Sequence, residues 1–229
     1  MAKNVINCRE CKKASQCFQH LYPEELDFIN EKKIQLTYIQ GENLFKQGAF
    51  SPYVMYIVEG LVKIYLQTGP AKQINISLAQ KGEFLAISSL FGETVYNYSA
   101  MAVKDSTICM IDKAGLYQLM EKNHDFALRI ASKNCRNETH YLNIIKNISY
   151  KQMHGKIASA LLYLSSAEFI ELDVFQYLNR QDIADFASIS TESTIKFLKE
   201  FEKEGILTLD GKNIEIIDKD KLLEIGRKG

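Results

Sequence analysis

Cys8, Cys11 and Cys17 form a C-x2-C-x5-C run within INCRECKKASQCF, near the start of a 229-residue chain. Thiols this close can ligate a metal, act as a redox pair with a spare, or simply pack, since C-x-x-C is shared by zinc sites and dithiol motifs. Cys109 in STICMI and Cys135 bring the cysteines to five, an odd number that suits no pure disulfide framework. His20, His124, His140 and His154 stand in no motif that singles out an axial ligand. The chain has no Walker loop, H-E-x-x-H helix or nucleophile motif, so its residues point away from an enzyme. A thiol oxidoreductase built on Cys8 and Cys11 is disfavoured, because no thioredoxin-like βαβ pattern surrounds the pair.

The elements that must position these groups follow from composition and periodicity. A hydrophobic fraction of 46%, a charged fraction of 24% and zero net charge are those of a soluble globular protein. The longest apolar runs are far too short to span a bilayer, and the first residues lack an apolar signal region. A cytoplasmic protein without membrane contact is expected, with its cysteines reduced. From about Ile34 to Ile111, the short β-type runs IQLTYI, YVMYIVEG, LVKIYL, QINISL, YSAMAV and STICMI recur between glycines, six of the twelve in the chain. That rhythm predicts an antiparallel roll or small barrel. A helix opening at Pro23-Glu24-Glu25, with Leu26, Ile29 and Lys33 following, precedes it.

Beyond Asp112 the β signature stops. Asp112 suits the N-cap of a short helix through Met120, and Asn123 that of a longer one to about Ile148. About 25 residues of helix span roughly 37 Å, long for one small domain. The apolar positions Phe126, Ile130, Tyr141, Ile144, Ile145 and Ile148, interrupted by Asn134, Asn137 and Glu138, suit a dimer helix or a bridge packed on the roll. Further on, Asn179 to Ala187 and Thr191 to Glu204 read as two short helices joined by a tight turn. Gly205 stops the second, and a hairpin with an Asp210-Gly211 turn follows. Helix, turn, helix and hairpin spell a winged helix-turn-helix. The fold class expected is α+β, in four segments: 1–22 bearing the cysteines, a roll over 23–123, a long helix over 124–149 and a DNA-binding domain over 150–229.

In this order, GENLFKQGAF, YVMYIVEGLVKIY, LNRQDIADFASISTESTIKFLKEFEKEGIL and DGKNIEII resemble the Crp/Fnr family of bacterial transcription regulators across essentially the whole chain. The resemblance implies a homodimer on a palindromic double-stranded DNA site, with RNA polymerase as a further partner. Its base-facing positions fall on Thr191, Glu192, Ile195 and Lys196. Glu192 can accept from a cytosine amino group, Lys196 can donate to guanine, and Ile195 can pack on a thymine methyl. Ser190, Ser193 and Thr194 are candidates for phosphate contacts. Outside such a fold, Glu192 and Lys196 would be an ordinary i,i+4 surface pair. The family usually has Arg at Lys196, and its oxygen-sensing members carry a small polar residue at Ile195. From Lys151 to Gly229, 11 Lys and Arg face 14 Asp and Glu. Positive charge for DNA must therefore be local, with Lys151, Lys156, Arg180, Lys199 and Lys212 as its candidates.

For the sensor, nucleotide-binding members resemble G-E-L followed by R-S-A, whose Arg grips the cyclic phosphate. Here Gly82-Glu83-Phe84 keeps the first part, but Tyr98-Ser99-Ala100 puts a phenol at the Arg, so cyclic AMP is not expected. The Fnr branch resembles this chain in its C-x2-C-x5-C run. Its fourth cysteine falls on Cys109, which implies a [4Fe–4S] cluster on Cys8, Cys11, Cys17 and Cys109. Cys135 is left as a packing residue. The signal expected is redox state, oxygen or nitric oxide. The alternative is a cluster-free regulator answering to haem-bound gas or to a small ligand in the roll.

Overall fold

The computed structural model describes residues 7–11, 18–70 and 72–229, leaving aside the side chains of 133–137. Cys17 and the side chains of Asn134, Cys135 and Asn137 lie outside the described residues. The fold divides into two units, one holding the chain through Gln67 with Ser77–Glu138, the other Thr68–Ile76 with Thr139–Gly229.

In the first unit, a one-turn helix α1 (Cys8–Cys11) and α2 (Pro23–Glu31) precede the sheet. Pro23 begins α2, where its missing N–H costs nothing. The Lys32 N–H closes the helix on the Ile29 carbonyl at 3.1 Å. Lys33 therefore does not continue the helix but starts β1 (Lys33–Tyr38). The sheet then runs through β2 (Asn43–Phe45), β3 (Tyr53–Gly69), β4 (Lys72–Gln80), β5 (Phe84–Leu85) and β6 (Ser99–Asp112). Its order is β1-β6-β3-β4, with β2 on β6 and β5 on β3.

YVMYIVEG and LVKIYL are one strand, β3, and YSAMAV, from Ser99 on, and STICMI are one strand, β6, each continuous through an interruption in its pattern. The interruption is a bulge, because the β3–β6 register shifts between Ile57 and Glu59 and again towards Leu61. Gly60 sits there at φ +114°, and its neighbour Leu61 donates its N–H to the Ser106 hydroxyl at 3.2 Å.

The β1–β6 register places Gln35 opposite Cys109 and Lys33 opposite Ile111. That pairing inverts the usual preference: Lys33 and Gln35 are half-buried while Ile34 and Leu36 are 52% and 42% exposed. The covered face packs into one apolar cluster with Cys8, Cys11, Phe18, Ile29, Tyr56 and Phe126.

Caps mark the exit from the sheet. Asp112 accepts the Gly115 N–H at 2.9 Å to start α3 (Lys113–Lys122), and Asn123 accepts the Phe126 N–H at 2.9 Å to start α4 (His124–Tyr150). Phe126 and Ile130 bury the root of α4, whereas Leu128, Leu142 and Ile145 are each at least 60% exposed.

The second unit contains α5 (Met153–Leu164), α6 (Arg180–Ala187), α7 (Thr191–Lys203), the pair β7 (Leu207–Asp210) and β8 (Asn213–Ile216), and α8 (Lys219–Lys228). Between α5 and α6 lie two 3-10 turns, Ile170–Leu172 and Val174–Tyr177. Asn179 and Asp182 cap α6 reciprocally, each side chain accepting the other's N–H at 2.9 and 3.0 Å. Asn179→Ala is expected to cost about 1 kcal/mol and lower the thermal midpoint by about 2–4 °C, read by circular dichroism. The turn into α7 passes through Ser188 in the left-handed region at φ 53°.

Candidate nucleic-acid interface and thiol cluster

α7 is two-faced. Thr194, Phe197, Leu198 and Phe201, spaced i, i+3, i+4 and i+7, are buried, and Glu192, Ile195, Lys196 and Lys199, with the same spacing, are exposed. The buried stripe holds the helix on its unit, and the exposed one presents a carboxylate, an apolar side chain and two ammonium groups to solvent. Ser190 caps α7, its hydroxyl oxygen accepting the Ser193 N–H at 3.2 Å and lying 3.1 Å from the Ser193 hydroxyl. The backbone N–H of Glu192 and the Ser190 hydroxyl hold the Glu192 carboxyl below its ordinary range. Glu192 is thus an acceptor only, which suits a base amino group.

Thr194 is the correction to this set. It is fully buried, and its hydroxyl donates to the Ser190 carbonyl one turn back at 3.1 Å, so no phosphate can reach it. Arg180 has a role that spacing did not suggest. Its guanidinium donates to the Gly211 and Lys212 carbonyls at 2.8 and 3.1 Å, tying the start of α6 to the hairpin tip. Burial lowers the Arg180 pKa. Lys151 likewise turns inward, donating to the Ser159 hydroxyl at 2.7 Å.

Polar residues that the sequence did not mark support the same helices. Asp185, on α6, is buried and accepts the Gln181 amide at 2.7 Å and the Gln73 amide at 2.6 Å. Asn75, also buried, donates to the Asp182 carbonyl at 3.0 Å. Thr191 donates its hydroxyl to the Gln181 side-chain oxygen. Gln181 could have been suspected from its place in the first turn of α6; Gln73 and Asn75, over a hundred residues away, could not.

The three described candidate thiols lie in one place. Cys8, Cys11 and Cys109 are each under 7% exposed and belong to the same apolar cluster. α1 turns Cys8 and Cys11 inward together, and the Cys8 N–H is held by the Asn30 side chain at 3.2 Å. The Cys109 sulfur lies 4.0 Å from the Gln35 side-chain oxygen across the strand pair. Burial pushes the Cys109 thiol up to about 12, with Lys33 opposing and the other two thiols adding to the rise. Burial also raises Cys8 and Cys11, again against Lys33. Soft donors beside a cation match the chemistry of an anionic thiolate-bound centre. Among the described residues, no three His, Cys, Asp or Glu side chains are drawn close enough to form a metal site as they stand. Two histidines are otherwise engaged: His140 lies 2.9 Å from the Ile76 carbonyl, and His154 lies 3.3 Å from Glu200 and packs at a tilt against Phe197.

On either side of β5, the Glu83 carboxylate accepts the Gln80 N–H at 3.0 Å, and the Tyr98 hydroxyl, just before β6, accepts the Ala86 N–H at 2.6 Å. Among the described residues, no helix is long and apolar enough to cross a membrane.

Comparison with known proteins matches these regions. Residues 35–123 match the family described as Cyclic nucleotide-binding domain, and residues 155–225 match the Crp-like helix-turn-helix domain. The chain is 24% identical over 225 residues to Transcriptional activator protein anr of Pseudomonas aeruginosa, covering 94% of this chain and 91% of that protein. It is 24% identical over 206 residues to cAMP-activated global transcriptional regulator CRP of Salmonella typhimurium, covering 88% and 90%. Among solved structures, FixK2 from Bradyrhizobium japonicum shares the fold at a TM-score of 0.73 and 17% identity, over 84% of this chain and 96% of that one.

Proposed function

The chain belongs to the Crp/Fnr family of transcription regulators, and from that premise we propose that it reads a palindromic promoter site as a homodimer under control of its buried thiols. The observation that carries the DNA reading is the exposed stripe Glu192, Ile195, Lys196 and Lys199 on a helix whose other face is locked into the unit. Glu192 accepts from cytosine, Lys196 donates to guanine and Ile195 covers a thymine methyl, with Thr191 beside them. Ser190, Ser193, Lys199 and the positive N-terminal end of α7 face phosphates, and Arg180 holds the hairpin in place. The exposed Leu142 and Ile145 on α4 support pairing with a second copy. RNA polymerase is the downstream partner of a regulator so built, and the cytoplasm its place.

The test is selection of sites from random double-stranded DNA with the full chain. An enriched palindrome is expected, and Glu192→Ala should lower affinity for it about tenfold, a single lost base contact. Failure to enrich any sequence overturns the reading.

For the signal, Cys8, Cys11 and Cys109, with Cys17, would hold a [4Fe–4S] cluster. When bound, such a group supplies a centre that oxygen or nitric oxide dismantles. Cys109 stands three residues before Asp112, the cap of α3, and shares its apolar cluster with Phe126 and Ile130 at the root of α4. A change in how α1 is held against β6 therefore reaches the helix proposed to pair, and shifts the dimer population. A cyclic nucleotide is not the proposed ligand, since Tyr98 brings no charge to a phosphate and its hydroxyl already holds the Ala86 N–H.

Anaerobic purification with iron and acid-labile sulfide assays tests this part. Stoichiometric iron and sulfide that bleach in air and are lost in Cys109→Ala are expected. A colourless, iron-free protein would overturn the cluster, leave the DNA reading in place and direct attention to a ligand in the roll.

A further inference from the structure

The side chains Gln73, Asp185, Gln181 and Thr191 form a hydrogen-bonded chain within the second unit. Its directions can be assigned from chemistry alone. The buried Asp185 takes one amide on each oxygen, from Gln181 at 2.7 Å and from Gln73 at 2.6 Å, the arrangement of an ionised, acceptor-only carboxylate. Gln181 must therefore turn its NH2 group to Asp185 and its carbonyl oxygen the other way. That oxygen can only accept, so the Thr191 hydroxyl, bonded to it at the solvent-exposed start of α7, must donate its hydrogen there.

We infer that Gln181, oriented by Asp185 and Gln73, makes Thr191 an acceptor-only reader that recognises an exocyclic amino group, adenine N6 or cytosine N4, in the major groove. A free threonine hydroxyl can donate or accept and so discriminates little between bases, whereas one whose hydrogen is committed offers only lone pairs. Gln181 and Asp185 are then positioning residues, and Thr191 the specificity determinant. The inference rests on the DNA reading above but goes further, since it assigns the polarity of one contact.

The test starts from the full chain and its selected site. Thr191→Val, near-isosteric and on the surface, should erase preference at one base position and leave the others. At that position, the amino group is then deleted from the DNA, with purine replacing adenine or 2-pyrimidinone replacing cytosine. Wild-type affinity should fall about fivefold, the effect of one hydrogen bond, and Thr191→Val should be unaffected. Asp185→Asn removes the constraint on Gln181, whose amide can then reverse and return the hydroxyl hydrogen to Thr191. The penalty for deleting the amino group should shrink there, because a freed hydroxyl can accept but is no longer confined to accepting. An equal penalty in wild type and Thr191→Val, or a position whose preference follows the thymine methyl instead, overturns the inference and leaves the DNA reading intact. If the wild type selects no site at all, both fall together.

Discussion

Gly60→Ala is expected to destabilise the sheet unit by about 2–5 kcal/mol, a large share of the roughly 5–15 kcal/mol that holds a typical domain folded. Two effects add. At φ +114° an alanine is strained whatever the space around it, and the space is already filled: a Cβ there would lie 2.1 Å from the Ser106 hydroxyl oxygen and 2.5 Å from its Cα. The Cα belongs to β6, where Ser106 is paired with Tyr38 of β1, so it cannot retreat without disturbing that ladder. Urea unfolding followed by circular dichroism and tyrosine emission is the measurement, the chain having no tryptophan and 12 tyrosines. Ser106→Gly in the Gly60→Ala background should recover part of the loss, because it removes the hydroxyl but not the backbone clash. A cost below about 1 kcal/mol would mean that the bulge rearranges around the new methyl.

In the reduced, metal-free protein at pH 8, Cys109 is expected to react with iodoacetamide about a thousandfold more slowly than an open cysteine. Burial takes its pKa from 9.0 to about 12, and a three-unit rise leaves about a thousandfold less thiolate, the reactive species. The sign also fixes the effect on stability. The folded pKa lies above the unfolded one, so the contribution is fully present below pH 9 and is lost between pH 9 and about 12 as the unfolded thiol ionises first. Lys33 opposes the rise at all three thiols, so Lys33→Met should slow alkylation of Cys8, Cys11 and Cys109 further. Mass spectrometry of timed alkylation against pH gives each rate. A Cys109 rate near that of glutathione would mean that the apolar cluster opens faster than reagent attacks. Slow thiols also bear on the signal, since direct oxidation needs the thiolate that burial suppresses, whereas metal binding must displace these protons and so should weaken as pH falls.

Much of the scaffold was legible because its punctuation is local. Asp112 and Asn123 are caps that announce themselves by residue type beside an apolar run, and Gly205 closes α7 at φ +71°. Asn179 and Ser190 cap α6 and α7, but in the sequence they read as a helix residue and a turn residue. The continuity of β3 and β6 was not legible, because a bulge breaks the alternation on which a strand is recognised. Lys33 was assigned to the wrong element for a related reason: its half-buried place depends on the β1–β6 register, set by residues more than seventy positions away. α8 passed unnoticed although Asp218 caps it, since only Leu222 and Gly226 of its residues are buried. At the site, the burial of Thr194 could have been read from its spacing with Phe197, Leu198 and Phe201. The link from Gln73 to Asp185 spans 112 positions and has no local signature.

The β1–β6 pairing also has a consequence in time. β1 ends at Tyr38 and finds its partner only when the chain has reached Ile111, so the roll cannot close until most of it has left the ribosome. At a synthesis rate of about 5–20 residues per second, the hundred or so residues between Cys8 and Cys109 take about 5–20 s to make. During that interval the N-terminal thiols have neither their strand partner nor their apolar cover. They are then at their most reactive, and any chaperone or cofactor-delivery step that must reach them has its widest opening during synthesis.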